Sequence, residues 1–351
     1  MDKELKEEYH FRVYKHIFLL KSIWREIINE DDGEFFLTYF YNKNATKLFR
    51  LYSFFSSILK LRINKQRVRF FAGETSQGNV VFIFPAIINK NNQKIHWLGA
   101  NCSNGSGYNG FILKNGIDKT FIWDCFILFL QSNYKGYSLN LIDTLKECSN
   151  NDFEVFRSCV KINLEKSQNS FDKWYSSLTK NSRQNIRTAY NRLNKDHKEY
   201  TLLLFDKLTH KQKSKLYYLF VKRGSQINQT SFDETLSPKG LIELNIKRYF
   251  NIVFYLINRS ERISVAMLYI DNNISAAMIM YSESSGVLVP KLAFNTEYSK
   301  YSPGVVMISE YIKQLNTKDK PFTFDLSRGN ERYKIALGGK IYYNYILDME
   351  I

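Results

Sequence analysis

One short segment near the carboxyl end carries side chains that together can move a proton. Asp325 ends an apolar strand, and Tyr333 and Lys334 follow on a predicted helix. A carboxylate, a phenol and an ammonium group can serve as base, acid and charge stabiliser. A salt bridge from Asp325 to Lys334 or Arg328, closing the turn between strand and helix, explains the same spacing equally well.

Two arginines four residues apart, Arg183 and Arg187, share one face of a second predicted helix. Asn181 or Ser182 is expected to cap the start of that helix. Guanidinium groups beside a helix N-terminus can hold a phosphate or pyrophosphate. A solvated basic face is the plainer interpretation, and spacing alone favours it.

A third segment leads from an apolar strand through Ser302, Pro303 and Gly304 into a helix. Pro303 suits the first helical turn and Ser302 the N-cap, while Gly304 lets a backbone or a ligand approach closely. Free N–H groups at such a helix start form an anion site. An ordinary helix entry is the alternative. A Walker loop is excluded, because the pattern GxxxxGK[ST] is absent.

The elements that must position these residues alternate between strands and helices. Hydrophobic periodicity and turn residues predict the following elements of the first half: strands 9–15, 67–74, 80–88, 94–98 and 138–142, helices 17–28, 45–61 and 117–130, and a loop 101–110. For the second half they predict strands 155–164, 201–205, 252–257, 263–270, 274–281, 287–294, 322–326 and 341–348, and helices 211–226, 305–315 and 331–336.

The order of these elements indicates an α+β fold, because an antiparallel meander is followed by helix, strand, helix and strand. Turn formers at 149–152 suggest a boundary, which gives domains 1–150 and 151–351. Because the two halves share a rough order of helix, strands, helix and strand, a diverged duplication is a further hypothesis.

Composition limits the partners and the compartment. Of 351 residues, 50 are Lys or Arg and 34 are Asp or Glu, so the formal net charge is +16. This charge suits an anionic partner, although the lysines are scattered and also fit a purely compositional origin. Four cysteines without a CxxC pair argue against a zinc site and for a reduced, cytoplasmic chain. We expect neither a signal peptide nor a membrane-spanning segment.

Taken in order and spacing, the segments 178–187, 301–304 and 324–334 resemble the GNAT-superfamily acyltransferases of the cellulose-biosynthesis (CelD-like) type. These are relatives of the peptidoglycan Fem aminoacyltransferases. The amino-terminal half resembles, more loosely, the degenerate first GNAT-like domain of that family. The resemblance implies two tandem GNAT-like domains, each a mixed, mostly antiparallel sheet flanked by helices. Domain 1–150 would be degenerate, and 151–351 would be the working acyltransferase domain.

The resemblance also implies a site. Acyl-CoA, with acetyl-CoA first, would lie in a splayed gap beside strand 287–294, without a metal. The expected donor-binding residues are Leu292, Ala293, Phe294, Ser302, Gly304 and Val305. Asp325, Tyr333 and Lys334 would be catalytic. Arg183, Arg187, Arg328 and Gly329 would bind the acceptor.

The expected reaction is acyl transfer to an amine, or a hydroxyl, of a sugar or sugar-nucleotide precursor of cell-envelope polysaccharide. The usual GNAT phosphate loop, Arg/Gln-x-x-Gly-x-Gly/Ala, is missing here, and only Gly304 remains of it. Two alternatives therefore stay open. One is a transferase that uses aminoacyl-tRNA or an acyl carrier protein as donor. The other is a non-catalytic binding protein of envelope assembly.

Overall fold

The computed structural model describes residues 9–58, 66–98, 109–165, 171–227, 252–315 and 321–351. The chain forms two compact units. The first holds Met1–Arg157 together with Tyr343–Ile351, and the second holds Ser158–Tyr342. These bounds differ from the predicted 1–150 and 151–351, because the division follows Arg157 and the end of the chain belongs to the first unit.

Strands of the first unit build a mixed sheet in the order β1-β2-β3-β4-β6-β13. Their bounds are β1 (His10–Tyr14), β2 (Gln66–Glu74), β3 (Val80–Asn89), β4 (Lys94–Trp97), β5 (Ile112–Leu113), β6 (Ser138–Thr144) and β13 (Lys340–Glu350). Neighbours run antiparallel except β4 and β6, which are parallel. The short β5 pairs with β3. Most of the predicted loop 101–110 lies outside the described residues.

The helices of the first unit are α1 (Lys21–Ile27), α2 (Asp32–Phe35), α3 (Tyr41–Ile58) and α4 (Lys119–Asn133). The predicted helix 17–28 is a 3-10 turn, Ile17–Leu20, followed by α1. Asp31 caps the next helix, α2, by accepting a hydrogen bond from the Glu34 N–H at 2.8 Å. Asp118 caps α4. Phe126 of α4 packs against Phe82 and Phe84 of β3, and all three are fully buried.

Strands of the second unit repeat this arrangement in the order β8-β9-β10-β11-β12-β7. Their bounds are β7 (Glu154–Leu164), β8 (Tyr200–Phe205), β9 (Ile263–Ile270), β10 (Asn273–Ser282), β11 (Gly286–Phe294) and β12 (Phe322–Arg328). Again one pair, β11 with β12, is parallel and the others are antiparallel. Each unit is therefore a mixed, mostly antiparallel sheet flanked by helices, which confirms the predicted α+β class.

The helices of the second unit are α5 (Phe171–Ser177), α6 (Lys180–Lys195), α7 (His210–Ile227), α8 (Ile252–Leu256), α9 (Pro303–Gln314) and α10 (Arg332–Ala336). The prediction of a strand at 252–257 is wrong, because these residues form α8. Periodicity cannot distinguish a strand from a short buried helix in so brief an apolar run. Tertiary packing decides for the helix: the Phe254 ring lies 5.9 Å from both Tyr217 and Phe220 of α7.

The start of α6 differs from the prediction as well. Thr179, rather than Asn181 or Ser182, is its N-cap, and its hydroxyl accepts the Ser182 N–H at 3.2 Å. Ser182 is itself buried and its hydroxyl bonds to that of Thr179 at 2.8 Å. A threonine in extended backbone satisfies the N-terminal N–H groups as well as Ser or Asn would, which is why residue type alone misplaced the cap.

Candidate active site

Two parallel strands part in the middle of the second unit. The ladder between β11 and β12 pairs only Gly286–Leu288 with Thr323–Asp325. Beyond it, β11 continues to Phe294, still paired with β10. Strand β12 instead has an irregularity against β7 between Asp325 and Arg328. The two strands therefore separate at Asp325 and leave one edge of β11 without a β12 partner.

Glycine is required where the strands still touch. A Cβ atom on Gly286 would lie 1.9 Å from the carbonyl oxygen of Thr323, far inside any allowed contact. Any other residue would push β11 and β12 apart at the point that holds them together. Gly286 thus permits the close approach at the start of the β11–β12 pair. Further along β11, Pro290 has no backbone N–H to donate.

Asp325 stands at the point of separation. Its carboxylate accepts a hydrogen bond from the Ser327 N–H at 2.7 Å and another from the Tyr342 hydroxyl at 2.8 Å. Ser327 has a left-handed φ of 55°, so the first contact holds the irregular end of β12 in place. Burial raises the pKa of Asp325, and the two hydrogen bonds oppose that shift. A carboxylate with a raised pKa is a stronger base than one in water.

The beginning of α9 has an unusual N-terminus. Ser302 is the N-cap residue, but its backbone is left-handed (φ 51°) and its side chain makes no capping bond. Pro303 has no N–H, and the Val305 N–H donates back to the Ser302 carbonyl at 2.9 Å. This helix start consequently offers fewer N–H donors to an anion than the sequence suggested.

Tyr333 packs beside this helix start. A Cβ placed on Gly304 would be 4.0 Å from the Tyr333 ring, so the glycine leaves a space of about one methyl group there. Burial raises the pKa of Tyr333; Glu331 adds to the shift and Arg223 opposes it. The phenol therefore stays protonated at neutral pH, as a general acid must before it acts.

Arg223 of α7 is a site residue that the sequence did not reveal. Its guanidinium carbon lies 4.6 Å from the centre of the Phe294 ring, at the end of β11. Its charge also acts on Tyr333. The neighbouring Lys222 is engaged elsewhere, in an ion pair with Glu297 at 2.6 Å. Because α7 carries no recognisable motif, only the fold could show that Arg223 faces the other two residues.

The side chain of Lys334 is hydrogen-bonded to backbone carbonyl groups. Its buried ammonium donates to the carbonyls of Leu326 (3.2 Å), Gly329 (3.1 Å) and Arg328, and pairs with Glu331 at 2.9 Å. These contacts tie the end of β12 to α10. The ion pair of Lys334 is thus with Glu331, whereas the alternative drawn from spacing paired it with Asp325.

Arg183 and Arg187 do not act as a pair. The Arg183 guanidinium turns back to the carbonyls of Ser176 and Leu178 and so caps the end of α5. Arg187 is exposed and donates to Gln184 at 3.3 Å. Of the two arginines, Arg187 is the one whose side chain faces solvent.

The remaining predicted site residues lie in two places. One group packs around the apolar core of the second unit, and the other is in the turn after β12. Leu292, Phe294, Val305 and Tyr333 all pack against the same apolar core. Ala293, between Leu292 and Phe294, is fully buried but is not part of that core. Arg328 and Gly329 belong instead to the turn bound by Lys334. There Gly329 has a φ of 88°, and its N–H donates to Ser158 at 3.0 Å.

Within the described part of the chain, no group of three or more His, Cys, Asp or Glu side chains is arranged to hold a metal ion. Among the same residues, no helix combines the length and apolar character needed to cross a membrane.

Comparison with known proteins agrees with this geometry. Residues 180–335 match the family described as acetyltransferase (GNAT) domain. A conserved protein of unknown function from Bacteroides thetaiotaomicron has 11% identity and a TM-score of 0.52, covering 97% of this chain and 100% of its own. FemX has 8% identity and a TM-score of 0.51, covering 98% and 97%. A search of curated proteins found no match.

These likenesses concern the fold, and the family match lies on the segment that contains the parted strands, α9 and Tyr333. Residues 180–335 therefore match a GNAT acetyltransferase domain, which supports an N-acyltransferase, and the chain has the GNAT fold in two units that are each a mixed, mostly antiparallel sheet.

Proposed function

We propose that the second unit transfers an acyl group from acyl-CoA, with acetyl-CoA as the first candidate, to an amine or a hydroxyl of a sugar or sugar-nucleotide precursor of cell-envelope polysaccharide. In this proposal the first unit is the degenerate partner of the working domain, and the reaction takes place in the cytoplasm. The observation that carries the proposal is the end of the β11–β12 ladder at Leu288 and Asp325.

The open edge of β11 suits the donor chemically. The pantetheine arm of a CoA carries amide groups, and an extended chain of amides can hydrogen-bond to a strand edge as an added strand does. Leu292, Ala293 and Phe294 supply backbone along that edge. Ser302, Gly304 and Val305 form the helix start beside it, where a phosphate is favoured by the helix dipole.

The chain's own groups can complete the transfer. The donor supplies an activated thioester, and the acceptor nitrogen forms the new bond to its carbonyl carbon as the carbon–sulfur bond breaks. Asp325 receives the proton that the amine loses. Tyr333 gives its proton to the departing sulfur, and the nearby Arg223 stabilises the phenolate that remains. A backbone N–H near Phe294 stabilises negative charge on the carbonyl oxygen.

In this proposal, Arg187, Arg328 and Gly329 bind the acceptor. Arg187 and Arg328 are the candidates for the phosphates of a sugar nucleotide, since a guanidinium binds phosphate with two hydrogen bonds. Gly329 allows close approach in the same turn. Arg183 and Lys334 have positioning roles in this proposal. Arg183 already donates to a backbone carbonyl of α5, and Lys334 donates to backbone carbonyls at the end of β12.

A second candidate uses aminoacyl-tRNA or an acyl carrier protein as the donor. It is favoured by the shortage of N–H donors at the start of α9, where Pro303 has none and Val305 bonds to Ser302. The net charge of +16 suits either acidic partner.

The test is a thiol-release assay of the purified chain with acetyl-CoA and longer acyl-CoAs, against amino sugars and their nucleotide-activated forms. Acceptor-dependent release of CoA supports the proposal. Turnover that appears only with charged tRNA and disappears with ribonuclease supports the second candidate. A folded chain that turns over no donor would contradict both and favour a non-catalytic binding protein.

A further inference from the structure

The first unit contains a polar cleft of about 290 Å³ that is separate from the residues discussed so far. Seven of its eight lining side chains are hydrogen-bonding groups: Gln66, Asn89, Asn92, Lys94, His96, Asn140 and Asp143. In β4 and β6 the alternate residues Ile95, Trp97, Leu139 and Leu141 pack into the core with α4. Since side chains alternate along a strand, the cleft lies on the opposite face of the sheet.

The cleft occupies the place in this unit that corresponds to the parted strands of the other. Strands β4 and β6 are parallel, and their ladder pairs only Lys94 and Ile95 with Ser138 and Leu139. His96 and Asn140 come directly after the last paired residues. The position in the strand order at which β11 and β12 separate in the second unit thus forms the cleft in the first unit.

The residues that line the cleft carry little net charge. Asp143 is buried at its edge and forms an ion pair with Arg157 at 2.7 Å. Lys94 adds one positive charge, which balances the negative charge of Asp143 among the lining residues. Burial lowers the pKa of His96, so its imidazole is neutral at neutral pH. Its Nδ1–H donates to the Trp97 carbonyl at 3.4 Å, which leaves Nε2 as a hydrogen-bond acceptor.

This combination points to a particular kind of ligand. A carboxamide offers an acceptor oxygen and two donor hydrogens, which matches a hydroxyl group that does both. Among the described residues, no Phe, Tyr or Trp ring lines the cleft to stack a nucleobase. The volume is just below the range of about 300–1,000 Å³ typical of pockets for drug-sized ligands, so the ligand is small.

We propose that this cleft of the first unit binds one uncharged sugar residue through its carboxamides, Lys94 and His96. The site does not depend on acyl transfer by the second unit. It holds equally if the donor of that reaction is not a CoA.

The test is calorimetric titration of the full chain with N-acetylglucosamine and glucose, and with glucose 6-phosphate as a charged probe. Saturable binding of a neutral sugar is expected. Asn140→Leu and Lys94→Met should each weaken it by about tenfold, the effect of losing one or two good hydrogen bonds. The matched control is Lys90→Met, which removes the same charge from an exposed turn residue outside the cleft.

Three results would overturn the proposal. These are no binding of any sugar by the folded chain, binding of the phosphorylated sugar alone, or neutral-sugar binding that survives both cleft substitutions. Circular dichroism and the unliganded melting temperature of each variant separate a lost site from a lost fold. If the chain binds no sugar but still releases CoA, the sugar-binding proposal is wrong and the proposal of acyl transfer by the second unit stands.

Discussion

Replacing Lys334 by methionine tests whether this lysine acts in the chemistry or holds the turn that carries it. In the structure its side chain is 4% exposed, and its ammonium donates to three backbone carbonyls, those of Leu326, Arg328 and Gly329. Methionine keeps most of the side-chain volume but cannot donate. The substitution therefore removes the hydrogen bonds and little else.

The expected cost follows from those contacts. A hydrogen bond to a charged donor contributes about 1.5–3 kcal/mol, and a buried acceptor left without a partner costs about 1–3 kcal/mol. The exposed Glu331 partner adds little, because surface ion pairs contribute about 0–1 kcal/mol. Since the three contacts are not additive, we expect a loss of about 3–5 kcal/mol in the free energy of unfolding, similar to breaking a buried ion pair.

Urea unfolding of the wild type and of Lys334→Met measures this loss directly, and thiol release measures activity on the same samples. Activity should fall together with stability, because Tyr333 lies next to Lys334 on α10. Lys334→Arg should recover part of both, since arginine can still donate to carbonyls. A Lys334→Met variant of unchanged stability but abolished turnover would refute the positioning role and return the lysine to the chemistry.

Three further predictions concern the same unit. Tyr333→Phe should reduce kcat by about 10²–10⁴ with the melting temperature preserved, as expected for a lost general acid; an unchanged rate in the thiol assay removes Tyr333 from that role. Gly286→Ala should destabilise the chain by roughly 1–3 kcal/mol, because its Cβ would lie 1.9 Å from the Thr323 oxygen, while the control Gly304→Ala, with 4.0 Å to its nearest neighbour, should cost little in urea unfolding. For Asp325 the folded-state pKa is raised, so its contribution to stability is present below the ordinary pKa and is lost as pH rises through the raised one. Unfolding free energies measured from about pH 4 to about pH 8 should therefore fall in the wild type relative to Asp325→Asn, and a parallel pair of curves would contradict the shift.

Most strands were predictable because their signals are local. Alternating apolar residues and turns such as 271–273 place β9, β10 and β11 within a residue or two of their observed bounds. The helix α8 was not predictable, because five apolar residues in a row carry no period and the Tyr217 and Phe220 rings decide their conformation.

Long-range pairing explains the other differences. Strand β13 pairs with β6, and this contact between distant parts of the chain assigns the carboxyl end to the first unit. No local pattern at 341–348 indicates it. The same holds for the end of the β11–β12 ladder, which depends on how close Gly286 comes to Thr323.

For the candidate site residues, residue type and spacing indicate possible chemistry but not the direction of the side chain. Asp325, Tyr333 and Gly304 were singled out from residue type and spacing, and the structure places Gly304 beside the Tyr333 ring. The direction of a long side chain is set by neighbours that are remote in sequence. Arg183 turns to α5, and Arg223, which stood in no motif, turns to Phe294.

The central claim is that an acyl-CoA binds between β11 and β12 at the start of α9. Thermal unfolding with and without acetyl-CoA tests it most directly, in the wild type and in Gly304→Ala. We predict a raised midpoint in the wild type, since ligand at 100 times Kd stabilises by about 2.7 kcal/mol. We predict a smaller shift in the variant, whose methyl group fills the space beside Tyr333. No shift with any acyl-CoA, or an equal shift in both proteins, would contradict the claim.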